Sequence, residues 1–186
     1  QTLERRDAIA TLFNLYNALT IRQVLYQYTI DSIRPKFHGI PNWLAFLRFS
    51  TKTVYTLNDQ SLSLNAIEHD ILRQQFLDPR IHFALVCASV GCPLLRPAAY
   101  VPEMLSAQLE DDCDRFINNP DKVRYDAASN TLFCSKIFKW YQADFLTVAD
   151  SVSGYCDRYY NAAQLPASVN VVYLPYSWEL NQRTSS

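Results

Sequence analysis

The sequence carries almost no net charge, because 17 Lys and Arg stand against 18 Asp and Glu for a formal balance of -1. A nucleic-acid binder held by bulk electrostatics is excluded on that ground. There is no apolar run long enough to span a bilayer, no visible signal peptide, and no repeat, low-complexity tract or linker. The five cysteines, Cys87, Cys92, Cys113, Cys134 and Cys156, are odd in number and irregularly spaced, which is not a disulfide framework. Gln1 is not Met, so the chain reads as processed or trimmed. The compartment stays open between periplasmic or secreted and cytoplasmic. What is present is apolar and aromatic: 186 residues, 49% of them hydrophobic, with 12 Tyr and 10 Phe. That is enough to bury a real core in one domain, residues 1–180, followed by a loose polar tail at 181–186.

Apolar spacing predicts a helix over Leu3 to Tyr28 through Leu12, Leu15, Tyr16, Leu19 and Val24. Pro35, Gly39 and Pro41 then mark a loop. Thr53 to Leu57 predicts a strand that ends in an Asn58-Asp59 turn. Leu64 to Phe76 predicts a helix with Asn65 as N-cap and Glu68 in a capping-box position, stopped by Asp78-Pro79. Ile81 to Cys87 is apolar on both faces and reads as a buried central strand, and Ser89 to Pro93 as a loop. Pro102 opens a helix that runs to Asn118-Asn119-Pro120, with Leu105, Leu109, Cys113 and Phe116 on its core face. Val123 to Tyr125 and Thr131 to Cys134 flank a turn and predict a hairpin. Helical pieces at Ile137 to Phe145 and Val148 to Tyr160 precede a last strand at Val169 to Leu174. Strands and helices do not alternate regularly. The fold class is therefore α+β, a small central sheet packed against several helices. Trp140 and Tyr141, beside Phe138 and Phe145, are expected to anchor the second half of the core.

Several segments resemble a known family, in the order that family has them. They are Asn14-Leu15-Tyr16-Asn17-Ala18-Leu19-Thr20-Ile21, Ile67-Glu68-His69, Asp78-Pro79-Arg80-Ile81-His82-Phe83-Ala84-Leu85 and Gly91-Cys92-Pro93. Ser135-Lys136-Ile137-Phe138-Lys139-Trp140-Tyr141 and Tyr176-Ser177-Trp178-Glu179-Leu180-Asn181 follow. Each is weak alone, but the ordered set resembles domain-of-unknown-function family 547. The resemblance implies a thiol-hydrolase relationship, with an acid, a histidine and a cysteine in that order. The likeness to modules fused to coiled-coil segments implies an interaction role instead. The stretch Ile81-His82-Phe83-Ala84-Leu85 is also similar to the histidine strand of papain-like thiol hydrolases, a distant and permuted likeness.

Cys92 is the nucleophile candidate, because Gly91 permits close backbone approach and Pro93 stiffens the turn around an exposed thiol. It needs a basic partner to become thiolate at neutral pH. His38 lies in a breaker-rich loop and reads as exposed, which leaves His69 and His82. If the helix at Leu64 and the strand at Ile81 are antiparallel neighbours, His69 sits at the Cys92 end. His82 is then about 20 Å away along the strand, and a four-residue loop spans at most about 14 Å. That favours His69 as base, and the papain-like likeness keeps His82 open. Glu68 is a third member of the constellation or an ordinary first-turn carboxylate. Asn14 and Asn17, amides in an apolar helix, either tie it to a loop or donate to a developing oxyanion. Arg96 reads as a surface ion-pair partner. A zinc site from Cys87, Cys92 and histidines lacks a second cysteine pair, so no metal and no cofactor is implied. A Cys87–Cys92 redox disulfide is set against the expected burial of Cys87 on a strand face. The reading is a cysteine-dependent hydrolase or acyl transferase acting on a peptide or amide bond, including small thiol or γ-glutamyl peptides. Its partner is a small peptide or amide substrate, with no nucleic acid and no membrane span. The rival is a non-catalytic interaction module in which the cysteines and histidines are structural.

Overall fold

The computed structural model describes residues 3–27, 30–33, 36–37, 40–41, 51, 55–57 and 60–182. The fold is α+β, and the chain divides into two compact units. The first comprises Gln1–Leu77, Leu85–Leu105 and Ser177–Ser186, the second Asp78–Ala84 and Ser106–Tyr176.

In the first unit, helix α1 (Leu3–Tyr26) buries Ile9, Phe13, Tyr16, Asn17 and Thr20. Their three- and four-residue spacing keeps one stripe facing inward. Short antiparallel ladders follow: β1 (Lys36–Phe37) with β2 (Ile40–Pro41), and β3 (Tyr55–Leu57) with β4 (Gln60–Leu62). His38, Thr53 and the Asn58-Asp59 turn lie outside the described residues. The helix expected at Leu64 is present, but its middle, Ala66–Leu72, is a π-helix that runs on into α2 (Arg73–Phe76). Ser63 rather than Asn65 caps it, accepting the Ala66 N–H at 3.0 Å. The helix ends where Leu77 turns left-handed at φ 49°.

The second unit corrects the largest sequence expectation. Ile81 to Cys87 is not a central strand: Ile81–Ala84 is a short helix, α3, and the chain leaves it as irregular backbone. Asp78-Pro79 is the reason. Asp78 Oδ1 accepts the Arg80 N–H at 3.0 Å, and the Ile81 N–H donates to the Asp78 carbonyl at 3.2 Å. The pair that stops one helix is thus an N-cap and a first-turn proline for the next. Burial on both faces is as true of a fully buried helical turn as of a central strand. Here Ile81, His82, Phe83 and Ala84 are all buried.

Helix α4 (Leu105–Ile117) starts three residues after Pro102 and buries Leu109, Cys113 and Phe116. The predicted hairpin is present as β5 (Val123–Asp126) and β6 (Thr131–Cys134), in register from Val123↔Cys134 to Asp126↔Thr131. Its turn is built by Asp126, whose carboxylate accepts from the Ala128 N–H and the Ser129 hydroxyl, and by Asn130 at φ 47°. Three short helices follow, α5 (Lys136–Trp140), α6 (Gln142–Phe145) and α7 (Val152–Asp157). Then β7 (Asn170–Tyr173) adds parallel to β6. Phe83, Phe116, Phe138, Phe145 and Tyr155 form an aromatic core, with ring centroids 4.9 Å apart for Phe83–Phe116 and 4.8 Å for Phe145–Tyr155. Cys113, Cys134 and Cys156 are packed into it, and burial pushes the Cys113 and Cys134 thiols up to about 12. Trp140 is not an anchor of this core. It is 46% exposed and lies against Tyr176 at 4.8 Å, while its neighbours Ile137 and Phe138 point inward.

Candidate thiol site

Cys92 closes a tight turn in the first unit. Ala88 adopts φ 63°, and the Cys92 N–H donates to the Ser89 carbonyl at 3.0 Å. The chain's last described segment straps this turn down. The Val90 N–H donates to the Glu179 carbonyl at 2.8 Å, the Gly91 N–H to the Ser177 carbonyl at 2.9 Å, and the Asn181 N–H to the Ala88 carbonyl at 2.8 Å. The Cys87 N–H points at the Cys92 sulfur from 2.8 Å, and that sulfur also lies 3.9 Å from the Leu85 carbonyl. An amide dipole aimed in this way favours negative charge on sulfur. The expected exposure of Cys92 is corrected, since the residue is only 4% exposed. The strap and the inward turn cover it. Cys87, expected to be buried on a strand, is instead the more accessible of the two, with its sulfur 3.1 Å from the Ser89 hydroxyl.

Two amides of α1 position the chain around this turn. Asn17 Oδ1 accepts the Val86 N–H at 3.0 Å. Asn14 makes both bonds to the backbone of one residue: its Nδ2 donates to the Tyr100 carbonyl at 2.9 Å and its Oδ1 accepts the Tyr100 N–H at 2.8 Å. Between them stands Tyr16, which sequence reasoning took only as a core residue. Its hydroxyl donates to Glu68 Oε2 at 3.0 Å. Burial holds the Tyr16 phenol well above its usual range, and the charges of Glu68, Cys87 and Cys92 add to the effect. Tyr16 therefore stays a neutral donor to the Glu68 carboxylate. The sequence signal for it was an aromatic hydroxyl beside Asn17, on the helix face that carries the other buried polar groups.

Glu68 and His69 both sit in the π-helical segment. A π-helix has more residues per turn than an α-helix, so successive side chains diverge by a smaller angle. Glu68 Oε1 comes within 4.0 Å of His69 Nε2, although adjacent positions of an α-helix point well apart. His69 Nδ1 lies 3.1 Å from Arg73 Nη1. Arg96 stacks its guanidinium over the Tyr100 ring at 5.9 Å.

His82 belongs to the second unit. Its Nε2 is 2.7 Å from Asp144 Oδ2, and its ring stacks on Tyr141 at 3.8 Å, with the imidazole almost fully buried. Asp144 escaped sequence reasoning, because nothing local marks it as a histidine partner. The helix–strand argument that favoured His69 loses its premise with the strand. Among the described residues, no group of three or more His, Cys, Asp or Glu is placed to hold a metal ion, and no helix is long and apolar enough to cross a membrane.

No curated protein and no solved structure matches the chain. Residues 1–117 match the family described as "Protein of unknown function, DUF547", a span that includes α1, the Glu68-His69 pair and the whole Cys87–Cys92 turn. With well over half its length matched, the chain belongs to the DUF547 family.

Proposed function

We propose that this protein is a thiol-dependent hydrolase or acyl transferase acting on a peptide or amide bond. The observation that carries the reading is the Cys87 N–H directed at the Cys92 sulfur from 2.8 Å. A backbone donor fixed by a strapped turn stabilises a thiolate without any rearrangement. In the reaction, the Cys92 thiolate attacks the substrate carbonyl carbon. A protonated histidine gives its proton to the leaving amine, and a thioester remains. Water or an acceptor amine, deprotonated by the same histidine, then cleaves the thioester and returns the thiol. His69 is the base in this scheme, with Glu68 beside it at 4.0 Å. Tyr16 fixes the Glu68 carboxylate. Asn17 and Asn14 hold the turn's backbone, a positioning role that fits their bonds to Val86 and Tyr100.

A second reading rests on the 4% exposure of Cys92 and on the exposed apolar side chains of Leu94, Leu95 and Met104 in the same unit. It is a non-catalytic interaction module. One experiment separates the two. Iodoacetamide alkylation of Cys92 is followed against pH in a Cys87→Ser background. The hydrolase reading expects an inflection well below the ordinary thiol range, moved upward by His69→Ala. An inflection at or above the ordinary value, or a sulfur that does not react in the folded protein, removes the hydrolase reading and leaves the module.

A further inference from the structure

The redox pairing of Cys87 with Cys92 looked unpromising from sequence only because Cys87 was expected on a buried strand. The structure removes that obstacle. Cys87 is part-exposed at the mouth of the turn, and Cys92 lies buried beneath it. The Cys87 nitrogen is 2.8 Å from the Cys92 sulfur. Adding one N–Cα bond of about 1.46 Å puts that sulfur within about 4.3 Å of the Cys87 Cα. The two Cα atoms are then close to the separation of roughly 4.4–6.8 Å that a disulfide tolerates. A χ1 rotation of Cys87 away from the Ser89 hydroxyl, together with a small adjustment of the turn's backbone, brings the sulfurs together.

We propose that Cys87 and Cys92 are a thiol–disulfide exchange pair that takes a low-molecular-weight disulfide such as oxidised glutathione. The exposed Cys87 thiolate attacks one sulfur of the small disulfide. Its S–S bond breaks, and one small thiolate leaves with the electron pair. The Cys92 thiolate then attacks the Cys87 sulfur of the mixed disulfide and expels the second small thiolate. Two protein thiols have lost two electrons and two protons to form the internal bond, and the small disulfide has become two thiols. The strap from Ser177 to Asn181 keeps the turn closed throughout, so the second step is intramolecular between groups already in place. The remaining cysteines take no part, because Cys113, Cys134 and Cys156 lie in the second unit's core with their thiols held protonated. Bridging ties up the sulfur that the proposed hydrolase uses as its nucleophile. The pairing itself does not depend on that activity.

The full chain is incubated with oxidised glutathione, quenched in acid, unfolded, and its thiols are counted beside its intact mass. Wild type is expected to lose two of its five thiols and the mass of two hydrogens, to carry no glutathione, and to recover fully with dithiothreitol. Cys92→Ser is expected to stop at a glutathione adduct on Cys87, and Cys87→Ser to form no internal disulfide. A wild-type protein that keeps a stable glutathione adduct, or keeps all its thiols, overturns the proposal, and that measurement needs no variant to fold. The alkylation profile reads Cys92 reactivity alone. A failed hydrolase reading with an intact thiol count, or the reverse, is therefore recognisable.

Discussion

Asn14 offers the sharpest test of how α1 holds the thiol turn's unit together. Its amide makes two bonds to the Tyr100 backbone N–H and C=O, at 2.8 and 2.9 Å, and the neighbouring Phe13 ring meets the Tyr100 ring edge-on at 5.1 Å. Asn14→Ala removes both bonds and leaves a part-buried N–H and C=O to find other partners. At about 1–1.5 kcal/mol per bond plus the desolvation of the orphaned groups, the loss should be about 2–4 kcal/mol. With a urea dependence of about 2 kcal/mol per molar, the midpoint should fall by about 1–2 M. Asn14→Asp probes the same geometry by charge. The introduced carboxyl still accepts the Tyr100 N–H, but only its neutral form can donate to the Tyr100 carbonyl. Its folded pKa should therefore lie above the ordinary carboxyl value. The resulting stability is fully present below the ordinary value and lost as pH rises through the folded one. Urea melts of Asn14→Asp should approach wild type in acid and diverge towards neutrality. An Asn14→Ala cost under about 1 kcal/mol, or an Asn14→Asp gap that does not change with pH, refutes the clamp.

Trp140→Ala should cost no more than about 1–2 kcal/mol, while Phe138→Ala, fully buried in the aromatic core, should cost about 3–5 kcal/mol; chemical denaturation of the two variants compares them directly. The buried thiols should make the fold sensitive to alkali. Cys113 and Cys134 titrate near 12 when folded, against an ordinary value of 9.0, so their stabilising contribution is complete below pH 9.0 and drains away as pH rises towards 12. Each should add about 1.4 kcal/mol per pH unit to the slope of stability in that window. Cys134→Ala should flatten the slope by that amount in urea melts between pH 9 and 11, and an unchanged slope would count against the burial of that thiol.

What the sequence made legible was what short-range chemistry decides. The Val123–Cys134 hairpin was readable because Asp126, Ser129 and Asn130 build its turn from their own side chains. The Cys113 face of α4 was readable because helical spacing alone defines it. Asp78-Pro79 was misread because one dipeptide ends a helix and begins another, and the burial that follows it suits either a strand or a helical turn. Trp140 was misplaced because a hydrophobic cluster does not say which of its members turns outward in so short a helix. The candidate site was legible in its residue types and not in its geometry. The Cys92 turn is held by the carbonyls of Ser177 and Glu179, far along the chain, which accept from Gly91 and Val90. The Glu68–His69 approach depends on a π-helical segment that the spacing of apolar residues does not mark.

That strap has a consequence for how the protein is made. The chain passes between its two units four times, and the segment that pins the Cys87–Cys92 turn comes after the entire second unit. Synthesis adds residues at about 5–20 per second from the N-terminus, so the turn is translated several seconds before its fastening exists. During that interval both cysteines belong to a nascent chain without its final hydrogen bonds. The thiol site is therefore the last part of the first unit to mature, and only a polypeptide finished at least as far as Asn181 can complete it.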